Sequence, residues 1–336
     1  MEKIEDVIAP NEDVTDELIA LPEGDAEGGR APMRAPKRRK TDKEELMGWG
    51  MSCIPILGFL IFGFIPLIFS LYICFNQFKG LRLNTAEFVG FQNFQDVLSD
   101  SMFWRSVVNT LFVIGATLIS LVISIIISTL LTNCNRGKKI FQTVYFIPYV
   151  CSMVAVTFMW QWIFNYNYGV LNAVLRNLGI IKENIFWLGE ESLFMPVMYV
   201  ILVWSGTGFN IILLMAAMTN VNRNCYEAAD IDGAGMFTKF FRITLPAISP
   251  TVFYLLITGV IGSLQAFTQF QVMAPSGGPG YKGLTIVFYL YRELFQAQGG
   301  SDIGIATAVG WILALFIAVV VAFNFWGSKK WVSYDE

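Results

Sequence analysis

The sequence predicts an all-α, polytopic membrane protein with six transmembrane helices. Of its 336 residues, 55% are hydrophobic and only 15% are charged, and the mean hydropathy is +0.55. Soluble domains average about 45–50% apolar and about 25% charged residues. A helix needs about 20 apolar residues to cross a bilayer core of about 30 Å. Six stretches reach this length, at residues 51–75, 106–131, 140–164, 194–219, 246–273 and 303–326.

The first 46 residues differ in composition and are predicted to be a disordered cytosolic tail. Residues 1–27 contain ten acidic residues and one basic residue, and a basic cluster follows at 30–43. Few bulky apolar side chains accompany these charges, so the segment cannot bury enough surface to fold by itself. The predicted domains are therefore the tail, 1–46, and a transmembrane domain, 47–336. A regulatory or docking arm is the alternative interpretation of the acidic tract.

Several kinds of chemistry are excluded by composition. The chain contains no histidine, which excludes Ser-His-Asp and Cys-His catalysis and histidine-ligated metals. The five cysteines show no CxxC spacing, so neither a zinc site nor a disulfide framework is predicted. The net charge of −3 argues against nucleic-acid binding. None of the six apolar stretches contains Asp, Glu, Lys or Arg, which disfavours proton-coupled transport, although sodium coupling through carbonyl groups stays open.

The distribution of Lys and Arg predicts the orientation. If the N-terminus is cytosolic, the cytosolic segments hold 16 of the 23 basic residues. Without the tail, 8 basic residues in roughly 40 cytosolic positions still exceed 7 in roughly 110 external positions. Cytosolic segments carry the excess of positive charge in membrane proteins. Both termini are therefore predicted to be cytosolic.

The segment between the fourth and fifth apolar stretches, 222–245, contains a spaced motif. It reads E-A-A, three residues, G, nine residues, I, one residue, L-P, with the fixed positions at Glu227, Ala228, Ala229, Gly233, Ile243, Leu245 and Pro246. Pro246 is predicted to begin the next span, where its missing N–H costs little. The motif resembles the EAA loop of ABC importer permeases. That resemblance implies a type I ABC importer permease fold.

The residues around the motif predict a short capped helix. Asn222 or Asn224 can cap a helix that starts near Tyr226, with Glu227 near the positive end of its dipole. Gly233 then supplies a backbone turn in which a Cβ would be strained. An ordinary amphipathic connector between two spans is the alternative interpretation.

The resemblance implies that this helix couples the permease to an ATPase subunit. It assigns the docking to Glu227 and Gly233, with Ala228 and Ala229 keeping the helix slim. Polar contacts that assist the docking are assigned to Arg223, Asp230, Asp232 and Lys239. The chain has no GxxxxGK[ST] phosphate loop, so ATP and Mg are assigned to separate ATPase subunits. The chain itself is predicted to be a transport subunit with no catalytic residue, cofactor or metal.

The resemblance extends over about residues 50–330 and narrows to the sugar permeases, which include the maltose permease subunits. It rests on F-V-G-F-Q-N-F at 88–94, Y-F-I-P-Y-V at 145–150, W-Q-W-I-F-N at 160–165, Y-G-V-L-N at 168–172 and G-G-P at 277–279. It implies import of a sugar or oligosaccharide across a bacterial cell membrane. The implied partners are a second permease (a heterodimer), two ATPase subunits, an extracellular solute-binding protein and membrane lipids. An ABC permease for a polyamine, phosphate or an amino acid is the alternative, and maltose itself stays open because the loop 165–193 is short.

Candidate substrate-pathway residues lie on the fourth and fifth spans. They are neutral amides, hydroxyls, glycine and aromatic rings, which suit a sugar's hydroxyl edge and C–H face: Trp204, Ser205, Gly206, Phe209, Asn210, Ser263, Gln265, Phe267 and Gln269. The resemblance implies that positions corresponding to Ser205, Gly206, Phe209, Gly259, Ser263 and Ala266 contact sugar in the maltose relative. The alternative is helix packing by Gly206, Gly208 and Gly262, with Gln265 and Gln269 bonding to neighbouring helices.

Overall fold

The computed structural model describes residues 42–78, 86–134, 137–296 and 302–333. Most of the predicted tail, 1–41, lies outside the described residues, and the predicted boundary at 46/47 stays a prediction. Contacts divide the chain into two compact units, 1–59 and 60–336. The first contains helix α1 (Asp42–Phe59).

The second unit contains α2 (Ile65–Ile73), α3 (Gln92–Ser99), α4 (Ser101–Thr132), α5 (Lys138–Val150), α6 (Met153–Ile163), α7 (Val170–Asn177) and α8 (Glu191–Thr219). It continues with α9 (Arg223–Ile231), α10 (Met236–Lys239), α11 (Leu245–Ala247), α12 (Ser249–Leu264), α13 (Thr268–Met273), α14 (Ile286–Phe295) and α15 (Ile303–Ser328). Single π-helical turns occur at Leu60–Phe64 and Phe240–Thr244, and a 3₁₀ turn at Pro279–Tyr281. The strands of the described residues are two-residue segments, β1 (Asn76–Gln77) and β2 (Glu87–Phe88), paired antiparallel. The predicted all-α fold is confirmed.

Four unbroken helices among the described residues are long and apolar enough to cross a membrane. They are Met47–Ile73, α4, α8 and α15. Two bent pairs complete the six predicted spans if each pair is one span: α5 with α6, bent by 98°, and Met236–Ala247 with α12, bent by 65°.

The third predicted span, 140–164, is broken after Val150. Pro148 lies in the last turn of α5, where it lacks the N–H that would continue the ladder. Cys151 and Ser152 then take extended backbone angles, with ψ of 147° and 129°, before α6 begins. The predicted third span therefore consists of two helices joined by a bend of 98°.

The fifth predicted span, 246–273, is also shorter than the apolar stretch. Pro246 lies in the short helix α11, and the long helix α12 begins at Ser249. α12 ends at Leu264, and Phe267 has φ −143° and ψ −63°, which is not helical. The Thr285 hydroxyl donates a 2.6 Å hydrogen bond to the Ala266 carbonyl, so the break leaves that buried acceptor satisfied.

The centre of the second unit is the contact between α4 and α8. Ser120, Ser124 and Ser128 recur every four residues on one face of α4, and all three are buried. Ser124 and Ser128 donate hydrogen bonds of 3.3 Å to the carbonyls of Thr207 and Ile211. Small polar side chains allow two helix backbones to approach closely in a membrane. Large apolar side chains fill the rest of the core, among them Phe194, Met198, Ile201, Leu264, Phe270 and Phe288.

The glycines assigned to helix packing do not behave alike. A Cβ at Gly208 would overlap the carbonyl oxygen of Tyr145 on α5, and one at Gly206 would lie 3.2 Å from Ser120 Oγ. At Gly262 a Cβ would meet nothing within 4 Å. The packing interpretation therefore fits Gly208 and does not fit Gly262.

We expect Gly208→Ala to lower the melting temperature of the purified protein in detergent. The added methyl group forces α5 away from α8, and such overpacking costs about 1–3 kcal/mol. Gly262→Ala is the matched control, since it adds the same group to open space in a helix and should gain up to about 1 kcal/mol. Equal melting temperatures for the two variants would contradict the assignment.

Candidate functional site

The segment that carries the EAA motif forms the helix α9. The Asn222 side chain caps it by accepting a 3.0 Å hydrogen bond from the backbone N–H of Asn224. A cap by Asn222 is therefore confirmed, but the helix begins at Arg223, three residues before Tyr226. Glu227 consequently lies in the second turn, so the prediction that it lies near the positive end of the helix dipole is wrong. It pairs with Arg223 at 3.1 Å on an exposed surface, where such a pair stabilises the helix little.

α9 ends in a glycine turn, as predicted. Gly233 has φ +72°, a left-handed conformation that glycine adopts at no steric cost. Its N–H donates to Asp230 O at 3.1 Å, and the N–H of Ala234 donates to Ala229 O at 2.8 Å. These two bonds form a Schellman motif, in which Asp232 is the C-cap residue.

Side-chain bonds tie α9 to the chain that leads into the fifth span. The Lys239 ammonium pairs with the Asp230 carboxylate. The Tyr226 and Thr244 hydroxyls lie 2.8 Å apart. These two contacts link α9 to residues 239–244, which precede α12. The segment 222–245 also exposes apolar side chains: Ile231 of α9 is 88% exposed and Phe237 of α10 is 78% exposed.

A cavity of about 440 Å³ lies between α4, α8, α12 and the break between α5 and α6. Six of the nine predicted substrate-pathway residues line it: Ser205, Gly206, Phe209, Asn210, Ser263 and Gln269. Gly259 and Ala266 line it as well. We call this space the central cavity. The roles of these residues toward a substrate stay predictions.

The other three predicted residues lie elsewhere. Trp204 faces an apolar groove, and its ring packs edge-on against Trp160 with centroids 5.4 Å apart. Phe267 packs against Tyr291 at 5.0 Å. Gln265 is exposed at the end of α12. Because the helix stops there, residues 265–267 no longer follow the helical spacing that places Ser263 in the cavity.

Sequence reasoning missed several residues of the cavity wall, among them Thr117, Ser120 and Tyr149. Thr117 Oγ1 lies 2.6 Å from Ser263 Oγ, and Ser120 Oγ accepts a 3.5 Å hydrogen bond from the Asn210 amide. The four-residue recurrence of serines on α4 was the available signal. Tyr149 gave none, since it is one aromatic residue among many in an apolar stretch; its ring stacks on Phe209 with centroids 4.7 Å apart.

The cavity is therefore a neutral site that offers hydroxyls and amides beside aromatic rings. Within the described residues no charged side chain lines it, and no group of three or more potential metal ligands occurs in the same part of the chain. A polar solute without net charge fits these groups without leaving a buried charge unpaired. A metal or anion would find no formal charge partner there.

A group of ionisable side chains lies at the end of α4 opposite α9. The Tyr289 hydroxyl donates a 2.6 Å hydrogen bond to Asp100, whose other oxygen accepts from the N–H of Met102 at the start of α4. Burial, with the nearby charge of Asp100, raises the pKa of Glu293, and the Arg292 guanidinium partly opposes the shift. These groups anchor α14 to the start of α4.

A bundle of spans around a neutral polar cavity, with an ordered helix projecting between two spans, defines a permease subunit of a membrane transporter. Residues 124–329 match the family described as "Binding-protein-dependent transport system inner membrane component". The chain belongs to this family of ABC importer permeases and is a multi-pass membrane protein. The match confirms the family predicted from the EAA motif.

Relatives and solved structures agree with this assignment. The diacetylchitobiose uptake system permease protein NgcF of Streptomyces coelicolor is 33% identical, over 90% of this chain and 87% of its own. The lactose transport system permease protein LacF of Rhizobium radiobacter is 29% identical, over 85% of this chain and 95% of its own. A bacterial ABC transporter that imports the acidic polysaccharide alginate has a chain of similar structure, with TM-score 0.74, 27% identity and coverage of 86% of this chain and 96% of that one. A bacterial alginate ABC transporter in complex with an alginate pentasaccharide-bound periplasmic protein also has a chain of similar structure, with TM-score 0.75, 26% identity and coverage of 86% of this chain and 96% of that one. The type I ABC importer permease fold is thereby confirmed.

Proposed function

We propose that this chain is the permease subunit of an ATP-driven importer for a neutral sugar or oligosaccharide delivered by an extracellular solute-binding protein. The observation that carries the substrate class is the central cavity, whose hydroxyls, amides and stacked rings bear no charge. Sugars present hydroxyls on one edge and C–H groups on a face, and such walls complement both. The names of the relatives NgcF and LacF, which refer to diacetylchitobiose and lactose, support the same class.

The proposed assembly contains a second, non-identical permease and two ATPase subunits that bind ATP and Mg. The part of the first span that belongs to the second unit exposes apolar side chains, and Phe62 there is 83% exposed. This exposure supports contact of the first span with a helix of the second permease or with lipid. The exposed apolar residues Ile231 on α9 and Phe237 on α10 support docking of the segment 222–245 on an ATPase. The bias of Lys and Arg supports cytosolic termini, so that α9 faces the ATPases in the cytosol.

The proposed mechanism passes motion from α9 to the central cavity. ATP binding closes the ATPase pair and moves α9. The bonds of Asp230 with Lys239 and of Tyr226 with Thr244 carry that motion to the start of α12. α12 supplies Gly259 and Ser263 to the cavity wall, so its movement changes the site. The ATPase biases the bundle because α9 docks differently in two states.

Uptake into proteoliposomes tests the substrate class. The four-subunit complex with its solute-binding protein is supplied with diacetylchitobiose, lactose and an arabino-oligosaccharide, and separately with spermidine, phosphate and glutamine. We expect ATP-dependent uptake of at least one of the sugars. Uptake confined to the second set would show that the importer serves the alternative substrates.

We expect Gln269→Leu to lower kcat/KM for sugar uptake by roughly two- to tenfold, the loss of one neutral hydrogen bond. Gln265→Leu is the matched control on the same segment, because Gln265 does not line the cavity. Both variants should leave the amount of assembled complex unchanged. Equal losses in the two variants would remove the cavity assignment.

We expect Gly233→Val to abolish sugar-stimulated ATP hydrolysis per assembled complex. A Cβ at Gly233 meets nothing within 4 Å, so the effect is purely conformational: a branched residue resists φ +72° and the Schellman turn opens. Gly233→Asn is the control, since Asn tolerates this conformation and should retain most of the stimulation. Normal stimulation with Gly233→Val would contradict the role of α9 in coupling.

A further inference from the structure

A second cleft lies at the end of α6, away from the central cavity. It has a volume of about 510 Å³ and is lined by the rings of Trp162, Tyr166, Tyr168 and Phe186 and the amides of Gln161 and Asn167. We call it the aromatic cleft. It adjoins the start of α8, whereas α9 follows the end of that 29-residue helix, about 44 Å along its axis. The aromatic cleft is therefore on the face of the permease opposite the coupling helix, where the substrate arrives under the proposed function.

The wall of the aromatic cleft is shaped by a buried asparagine. Asn172 is 1% exposed, and its Oδ1 accepts hydrogen bonds from the N–H of Ile185 at 3.2 Å and from the Trp187 indole at 2.9 Å. Its amide donates to Ile185 O at 3.0 Å. Asn172 lies on α7, so these three bonds hold α7 against the segment that leads into α8.

Two contacts fix the backbone beside the rings. A Cβ at Gly169 would overlap the carbonyl oxygen of Asn165, and a Cβ at Gly189 would overlap the ring of Phe186. The Asn165 side chain also accepts a 2.9 Å hydrogen bond from the N–H of Asn167, which closes the turn. Close packing and hydrogen bonds of the backbone therefore fix the shape of the aromatic cleft.

The lining of the aromatic cleft matches a neutral sugar. Trp162 is 53% exposed and Tyr168 is 66% exposed, so ring surface is available. Within the described residues the amides of Gln161 and Asn167 make no side-chain hydrogen bond, and no charged side chain lines the cleft. Aromatic faces pack on the C–H faces of sugars while free amides bond their hydroxyls.

Exposed Trp and Tyr residues also anchor membrane proteins at the lipid interface. Trp104, at the start of α4, is an example of the simpler case: it is 52% exposed, its indole donates to Leu98 O at 2.8 Å, and it lines none of the described cavities. An interfacial anchor needs neither free amides between its rings nor a buried asparagine behind them. Those two features distinguish Trp162 from Trp104.

We propose that the aromatic cleft is a second carbohydrate site, which binds a sugar unit of the neutral substrate before that substrate reaches the central cavity. The proposal rests on the proposed function. α6 connects the two sites: Met153 lines the central cavity, and Gln161, eight residues later, is about 12 Å away along the helix axis.

The test measures sugar binding at Trp162 directly. The complex in nanodiscs, without binding protein, is titrated with diacetylchitobiose, lactose or an arabino-oligosaccharide to about 10 mM, where a site with a Kd of about 1 mM is nine-tenths full. The chain contains 9 tryptophans, so the Trp162 signal is taken as the difference between wild type and Trp162→Phe. We expect a saturable change of that signal with at least one sugar, and roughly two- to tenfold weaker binding for Gln161→Leu.

Trp104→Phe is the matched control and should leave the sugar response unchanged. A Trp162 signal that does not respond to any of the sugars overturns the proposal, as does an equal response to glycerol at the same osmolarity. A signal that follows only a change from neutral to anionic lipid identifies an interfacial anchor and also overturns it. Sugar uptake in proteoliposomes tests the proposed function separately from the second site. If sugar is taken up but the Trp162 signal does not respond to it, the aromatic cleft is refuted and the proposed function stands.

Discussion

The close contact between α4 and α8 is the constraint on which the rest of the permease depends. A membrane offers no water to the backbone and gives little apolar driving force for helix association, so two spans hold together through tight packing and internal hydrogen bonds. Ser124 and Ser128 on α4 supply both, since their hydroxyls bond to carbonyls of α8 while their small side chains let the backbones approach. With this contact in place, Ser205 and Phe209 on α8 are held beside Thr117 on α4. The central cavity depends on this contact, because it lies where α4 and α8 meet the two broken spans.

The two broken spans both contribute to the central cavity. At Val150–Met153 and again at Leu264–Thr268, the backbone leaves the helix, which a membrane protein tolerates where the freed groups face protein or a water-filled cavity. Each break borders the central cavity: Cys151 and Met153 line it from one side and Ala266 and Gln269 from another. The interruption replaces a continuous apolar helix face with side chains that converge from two directions. Hydroxyls and amides on α4, α8 and α12 supply most of the polar wall, and Gln269 adds an amide from beyond the second break.

Much of the coupling segment could be predicted from the sequence, because its determinants are local. The cap at Asn222 and the left-handed turn at Gly233 depend on residues within a few positions of each other. The sequence does not determine the helix start, because both Asn222 and Asn224 are good caps and the hydrogen bond that decides between them is seen only in the structure. Assigning Glu227 to the positive end of the dipole failed for that reason.

The cavity was predictable only in part, because its determinants are tertiary. Periodicity carries Ser205 and Phe209 correctly along one unbroken helix, but it misplaces Gln265 and Phe267 across a break that contains neither Gly nor Pro. That break is stabilised by Thr285, which lies 19 residues away in sequence from the carbonyl it bonds. Similarly, Gly208 and Gly262 look alike in the sequence, and only the approach of Tyr145 to Gly208 separates a packing glycine from an open one.

Neutrality has a consequence for how such an importer obtains specificity. A charged solute can be selected by one ion pair, whereas each hydrogen bond to a sugar hydroxyl contributes only about 0.5–1.5 kcal/mol. A small cavity with a few amides and hydroxyls therefore discriminates weakly unless other contacts precede it. A solute-binding protein provides one earlier selection, and a ring-and-amide site on the arrival face, such as the aromatic cleft, would provide another. Selection distributed over several weak neutral sites also leaves the solute easy to release, which transport requires as much as binding.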